Sequence, residues 1–166
     1  MRLVLLAFAF ITTLSGAVPE KPDTDASTLE KEIAAIVAGP QVTVVHFWAP
    51  WCSNCASEMT PDGWAKFVDE NPKVKVVFLN VWHENQAGDR KLAAAGLGTQ
   101  ENLVARTHPN PASTGDGRLN SFLGLSLQWI PTTWVFRDGK LRYAINYGEV
   151  RFDMLQQMVK DAAEYY

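Results

Sequence analysis

The chain has 166 residues, of which 47% are hydrophobic and 20% are charged, and its 15 basic and 18 acidic side chains give a net charge of −3. This length suits one globular domain that buries roughly 68–70% of the surface of the unfolded chain, so folding needs neither a structural metal nor a disulfide scaffold. The acidic balance and the lack of a lysine and arginine cluster argue against nucleic-acid binding. Collagen-like, disordered and disulfide-dense classes are excluded by composition.

Residues 1–17 follow the sequence pattern of a secretory signal peptide. Arg2 precedes a mostly apolar stretch over 3–14, and small residues follow over 15–17. The apolar run is shorter than the roughly 20 residues that a membrane span needs. We therefore predict cleavage at the end of the signal peptide, a linker over 18–26, and a periplasmic or secreted mature protein, where disulfides persist. An uncleaved N-terminal membrane anchor is the alternative.

The domain itself is predicted over 27–166. A helix is expected from Ser27, and the β-branched and aromatic run over 42–48 is typical of a strand buried on both faces. The run over 74–81 predicts a second inner strand. The residues between the two strands are helical in pattern, with a kink at Pro61, because proline lacks the amide donor for the preceding turn.

The segment over 82–128 is longer than a crossover between strands needs, so we regard it as an insertion. Short helices are predicted in it at 89–95, 100–107 and 118–123, with a turn-rich loop over 108–117. A strand over 132–136, a hairpin turn, a partner strand over 141–147 and an amphipathic helix over 152–165 complete the chain. The order predicts an α/β fold with a right-handed parallel crossover and an antiparallel hairpin.

Cys52 and Cys55 are the only cysteines, and they lie where the strand over 42–48 gives way to a helix. Unpaired N–H groups and the dipole of a helix N-terminus favour a thiolate. One helical turn brings the second sulfur within bonding reach of the first. The pair can therefore cycle between dithiol and disulfide, with Cys52 as the attacking nucleophile and Cys55 as the resolving thiol.

Two other uses of the cysteines are less favoured. A zinc site requires two further ligands, and His46, His83 and His108 show no paired spacing that would supply them. A purely structural disulfide would close a very small loop and restrain little of the unfolded chain. We therefore expect redox exchange, with no metal and no cofactor.

The wider sequence around the cysteines resembles the thioredoxin superfamily. The resemblance rests on Phe-Trp-Ala-Pro-Trp-Cys-Ser-Asn-Cys over 47–55, on Trp-Ile-Pro-Thr-Thr over 129–133, and on the element order. Glu58, three residues after Cys55, and the secretory segment resemble envelope thiol:disulfide oxidoreductases of the TlpA/ResA type. The resemblance implies a thioredoxin-like fold, with a central mixed sheet flanked by helices and a helical and loop insertion before the cis-proline hairpin.

The resemblance also implies a substrate-binding site. In the superfamily a cis proline faces the cysteine pair, which assigns that role to Pro131, and Ile130 would offer its backbone to an extended substrate segment. An ordinary trans proline at the start of a strand is the alternative. Trp51 and Ile130, together with Trp129, would surround the cysteines with apolar surface suited to protein partners. Core positions are expected for the other tryptophans considered: Trp48, Trp82 and Trp134.

Two ionisable residues are candidates for moving protons. Glu58 lies on the helical face of Cys55; burial would raise its pKa and let it act during release of the mixed disulfide, whereas exposure would make it a surface carboxylate. His46 occupies the position where cytoplasmic thioredoxins carry a buried acid, so it is either a proton relay or a core histidine. Pro61 lies six residues after Cys55 rather than the five usual in the family, which affects the kink and the orientation of Glu58.

Together these features predict a thiol:disulfide oxidoreductase of the bacterial envelope that reduces protein disulfides. Its expected partners are disulfide-bearing proteins and a membrane electron donor, and we expect a monomer. Reduction is favoured because no histidine lies between Cys52 and Cys55. A disulfide-installing oxidant with the same site is the first alternative. A thioredoxin-like partner-binding module, for which the insertion over 82–128 would supply the surface, is the second.

Overall fold

The computed structural model describes residues 26–146 and 148–164, and a five-stranded sheet runs through their centre. The strand order is β3-β2-β1-β6-β7, in which β1, β2 and β3 are parallel, β6 is antiparallel to β1, and β7 is antiparallel to β6. The strands of this sheet are β1 (Thr43–Trp48), β2 (Lys75–Asn80), β3 (Leu103–Thr107), β6 (Thr132–Arg137) and β7 (Lys140–Ile145). A separate two-stranded hairpin is formed by β4 (Ser121–Phe122) and β5 (Leu125–Ser126).

Helices cover both faces of the sheet. They are α1 (Ala26–Val37), α2 (Ser53–Glu58), α3 (Lys66–Glu70), α4 (Asp89–Ala94) and α5 (Phe152–Ala163). A π-helical turn over Pro61–Ala65 precedes α3, and the chain is non-helical at Gly63. A Cβ at Gly63 would lie 2.4 Å from the carbonyl oxygen of Glu58, so only glycine fits where the chain turns back against α2. The predicted kink is confirmed, with Pro61 at the start of the restarted helix.

Side chains of β1 alternate between two buried faces of the sheet because successive residues of a strand point in opposite directions. We call the first the cysteine face, which packs against α2 to α5; it contains Val44, Trp48, Cys55, Trp64, Phe78 and Leu155. We call the second the α1 face, which packs against α1 and the hairpin of β4 and β5; it contains Ile33, Val45, Phe47, Leu79, Phe122 and Trp134. Both faces are buried, as the unbroken apolar run of β1 predicts.

The predicted fold class is confirmed, but two predicted helices in the insertion are wrong. Residues Leu103–Thr107 form β3, which pairs in parallel with β2, so tertiary pairing with the edge of the sheet overrides local propensity. In place of the helix over 118–123, β4 and β5 form a hairpin. Its turn residues Leu123 and Gly124 have φ of +51° and +72°, the left-handed conformation of a tight hairpin turn.

The signal peptide over 1–17 and all of the linker over 18–26 except Ala26 lie outside the described residues. Ala26 itself is helical and is the first residue of α1. Among the residues that the structure describes, no helix is both long enough and apolar enough to cross a bilayer.

Candidate active site

The two cysteines lie at the first turn of α2, directly after the carboxyl end of β1. Cys52 is the N-cap of the helix, and its sulfur forms a disulfide with Cys55. The backbone N–H of Cys55 donates to Sγ of Cys52 at 3.1 Å. When the disulfide is reduced, this donor favours negative charge on the same sulfur. Both residues are buried, with Cys52 the more exposed of the two, which suits it to meet a substrate first.

A second segment faces the cysteines from the start of β6. The peptide bond between Ile130 and Pro131 is cis, as the family resemblance predicts. The carbonyl oxygen of Ile130 lies 3.9 Å from Sγ of Cys52. The fold therefore brings the Cys-x-x-Cys turn and the cis-proline turn together, although they are far apart in the sequence.

Exposed aromatic side chains flank this meeting point. Trp51 is 43% exposed and Trp129 is 58% exposed, whereas Ile130 is half-buried and packs against the core. The indole N–H of Trp51 donates to the carbonyl oxygen of Trp82 at 2.6 Å, which fixes the orientation of an otherwise exposed ring. Burial is confirmed for the three tryptophans predicted to lie in the core: Trp48, Trp82 and Trp134.

A buried polar pair lies on the cysteine face below α2. Nε2 of His46 is 3.2 Å from Oε1 of Glu58, and both side chains are almost completely buried. Among the described residues, Nε2 of His46 has no other hydrogen-bond partner. The other atoms of the pair are held separately: the N–H of Val150 donates to Oε2 of Glu58 at 2.6 Å, and Nδ1 of His46 lies 2.9 Å from the Thr133 hydroxyl.

Burial shifts the pKa values of this pair towards the uncharged forms. It raises the pKa of Glu58 to about 7, while hydrogen bonds from the N–H of Val150 and from the indole of Trp64 oppose the shift. It lowers the pKa of His46 to about 3. Near neutral pH the pair therefore consists of a neutral imidazole and a carboxyl group poised between its two states. A protonated Glu58 donates to Nε2 of His46, which then donates from Nδ1 to Thr133.

Glu58 and Cys55 are one turn apart in α2, and both are buried. The sequence-based condition for a raised pKa of Glu58, namely its burial, is met. His46 also packs against aromatic rings, with centroids 4.5 Å from Trp64 and 5.0 Å from Phe78. This apolar surrounding is the physical cause of the pKa shifts.

Sequence reasoning missed three contributors to the site. Thr133 belongs to the quoted Trp-Ile-Pro-Thr-Thr motif, and its β6 register opposite His46 would have indicated the contact. Val150 acts through its backbone N–H, for which a sequence carries no signal. Lys91 at α4 donates from Nζ to the carbonyl oxygen of Pro50, two residues before Cys52, and nothing in its local pattern indicates this. In the described part of the chain, no cluster of three or more potential ligands could hold a metal ion.

Comparisons with known proteins agree with this geometry. A family model described as a thioredoxin-like domain matches residues 29–163. A secreted disulfide oxidoreductase from Mycobacterium tuberculosis, homologous to E. coli DsbE, is 20% identical over 76% of this chain and 85% of that chain, with a TM-score of 0.55. A thiol:disulfide interchange protein of the thioredoxin family from Chlorobium tepidum is 20% identical over 79% of this chain and 85% of its own, also with a TM-score of 0.55.

StoA from Bacillus subtilis is 20% identical over 72% of this chain and 82% of that chain, with a TM-score of 0.51. No curated protein sequence shows significant similarity. Identities this low establish a shared fold, whereas the family model covers most of the chain and confirms the resemblance to the thioredoxin superfamily. The chain belongs to the thioredoxin-like family, with a thiol:disulfide oxidoreductase fold and a disulfide between Cys52 and Cys55.

Proposed function

We propose that the protein is a thiol:disulfide oxidoreductase that reduces disulfides of protein substrates. The observation that carries the proposal is the Cys52–Cys55 disulfide, with an amide N–H directed at Sγ of Cys52 and the Ile130 carbonyl beside a cis proline on the other side. An extended substrate segment that pairs with the backbone of Ile130 would place its own disulfide next to Sγ of Cys52.

The reaction proceeds in two exchange steps. The Cys52 thiolate attacks one sulfur of the substrate disulfide, so that a mixed disulfide forms and one substrate thiolate leaves. The Cys55 thiolate then attacks Sγ of Cys52, which releases the second substrate thiolate and leaves the Cys52–Cys55 disulfide. Two electrons pass to the substrate, and each of its departing thiolates takes up a proton. A membrane electron donor would restore the dithiol.

In this proposal Glu58 accepts the proton of Cys55 before the second step. A buried thiol is a poor nucleophile until it is deprotonated, and a carboxyl group whose pKa is about 7 is suited to proton exchange near neutral pH. His46 acts as a relay between two groups. Its Nε2 holds Oε1 of Glu58, and its Nδ1 hydrogen-bonds with the Thr133 hydroxyl. Trp51, Ile130 and Pro131 form the substrate-binding part of the site.

The envelope location and the monomeric state are parts of the same proposal. The signal-peptide pattern over 1–17 supports export. The Mycobacterium tuberculosis protein of similar fold is described as secreted, which agrees with that location. The absence of a histidine between Cys52 and Cys55 favours the reducing direction.

The direction of the reaction, reduction or formation of substrate disulfides, is tested by equilibrating the purified protein with glutathione buffers and quantifying the dithiol. A reduction potential near the thioredoxin value of about −270 mV would support a reductase, whereas a value near the DsbA value of about −120 mV would assign the role of an oxidant. The two roles use the same atoms and differ in the relative stability of dithiol and disulfide.

Turnover separates an enzyme from a partner-binding module. The dithiol form is expected to reduce insulin, and the Cys55→Ser variant is expected to accumulate mixed disulfides because the second step is blocked. Cys52→Ser is the matched control, since it removes the attacking sulfur and should accumulate none. Absence of both insulin reduction and trapping would reject the enzyme and leave the binding module.

A further inference from the structure

The insertion between β2 and β6 is attached to the residue that precedes Cys52. Trp82 lies just after β2 with a φ of +51°, a left-handed conformation that bulky residues rarely adopt. Its carbonyl oxygen accepts the hydrogen bond from Trp51, and its own indole N–H donates to the carbonyl oxygen of Leu119 at 2.9 Å. Contacts on both sides hold Trp82 in this conformation and connect the Cys-x-x-Cys turn to the insertion.

Arg118 connects Trp82 to the end of the insertion, directly before the cis-proline segment. Its guanidinium carbon lies 3.9 Å from the ring centroid of Trp82, within cation–π distance. Nη2 of Arg118 also donates to the carbonyl oxygen of Gln128 at 2.5 Å, three residues before Pro131. A planar guanidinium can stack on a ring and donate to a carbonyl at the same time, which a lysine ammonium cannot reproduce.

We propose that Arg118 is a positioning residue that sets the separation of the two walls of the substrate cleft. One wall carries Trp51 and Cys52, and the other is the cis-proline segment over 129–131. The inference rests on the proposed function and gives the insertion a role in it. Because an extended segment of a protein substrate contacts both walls, its binding is sensitive to their separation. A small disulfide reagent needs to reach only Cys52.

The test compares two substrates in variants that retain an unbranched side chain at position 118 but lack the guanidinium. In Arg118→Met, kcat/KM for insulin is expected to fall about tenfold, mainly through KM, because the binding geometry is loosened. The reaction with a small aromatic disulfide should change less than twofold, and the pH profile of Cys52 alkylation should not move. Arg118→Lys should fall between wild type and Arg118→Met. Arg142→Met, an exposed arginine on edge strand β7, is the matched control and should behave as wild type.

A second measurement does not depend on activity. In Arg118→Met, the ¹H–¹⁵N indole resonance of Trp51 should shift and its hydrogen exchange should accelerate. The indole of Trp134, which donates to Asn146 at 3.0 Å on the α1 face, should remain unchanged. An unchanged Trp51 resonance, or equal losses with insulin and the small reagent, would overturn the proposal. If the wild type reduces neither substrate, the proposed function fails, and the Trp51 resonance alone decides whether Arg118 positions the two walls.

Discussion

The two buried faces of the central sheet differ in whether they contain a buried ionisable pair. Phe47 and Trp134 on the α1 face pack edge to face, with ring centroids 4.5 Å apart, in a cluster of apolar side chains. On the cysteine face the neighbouring β1 residue, His46, points the opposite way into a cluster of similar aromatic content, where it meets Glu58. One strand therefore supplies an apolar core on one side and a buried proton-carrying pair on the other.

Burying such a pair has a cost that only a partner can offset. A buried polar group without a hydrogen bond destabilises the fold by roughly 1–3 kcal/mol. The structure offsets this with the contact between the two side chains and with hydrogen bonds to two further elements, β6 and the segment before α5. We therefore expect the cysteine face to be less tolerant of a change in charge than the α1 face.

The largest effect is expected from Cys52→Ser, because it removes the attacking sulfur. Exchange with both protein and small disulfides should fall to background. Since Cys52 is at the N-cap and serine is a favourable residue there, the helix should be retained. Insulin reduction and far-UV circular dichroism check the two statements. Residual exchange above that of a variant lacking both cysteines would contradict the role of Cys52.

Truncation of one aromatic residue on each face gives the next largest effect. Phe47→Ala and Phe78→Ala should each lower the free energy of unfolding by about 3–5 kcal/mol, because both side chains are fully buried. Only Phe78→Ala should alter the pH profile of exchange, since its ring contacts His46. Urea denaturation and a pH series of alkylation rates measure the two quantities. An equal change of pH profile in both variants would mean that the faces are not chemically distinct.

Glu58→Gln is expected to change how stability depends on pH. The pKa of Glu58 rises from 4.5 to about 7 on folding. The contribution of Glu58 to the free energy of unfolding is therefore complete below pH 4.5 and is lost as pH rises to about 7. The pKa of His46 falls from 6.5 to about 3, so its contribution is present above pH 6.5 and is lost as pH falls. In the wild type these slopes oppose each other between pH 4.5 and 6.5.

When the carboxyl group is removed, only His46 contributes to this pH dependence of stability. Relative to wild type, Glu58→Gln should gain up to about 3 kcal/mol of stability between pH 4.5 and 7. Thermal or urea unfolding at several pH values measures this difference. Glu70→Gln, at an exposed carboxylate paired with Lys66, is the control and should parallel wild type. Parallel curves for Glu58→Gln and wild type would show that Glu58 does not titrate in this range.

The smallest effect is expected from Trp129→Ala at the rim of the site. The KM for insulin should rise about threefold, because an exposed aromatic ring contributes on the order of 1 kcal/mol to a contact of this kind. The reaction with a small disulfide should be unchanged. Leu141→Ala, which removes an exposed apolar side chain on β7, is the control. A fall in the small-disulfide rate would indicate that Trp129 supports the cysteine turn itself.

Much of the site was predictable because local sequence patterns indicate it. The run over 42–48 indicates a doubly buried strand, and the Cys-x-x-Cys spacing indicates a pair that closes within one helical turn. The cis bond at Pro131 was predictable only through the family resemblance, since composition alone does not favour a cis bond. The insertion was predicted least well, because β3 becomes a strand only by pairing with β2.

The amino-acid sequence alone determined the order of elements around β1, the pair of sulfurs and the ionisable residues available near them, since periodicity and spacing are local properties. Tertiary structure alone decided that His46 meets Glu58 and that Arg118 joins Trp82 to Gln128. These contacts depend on strand register and on the path of the insertion, which arise from packing between distant segments. The pKa values follow from the same packing, because burial is a property of the assembled core and not of any residue in isolation.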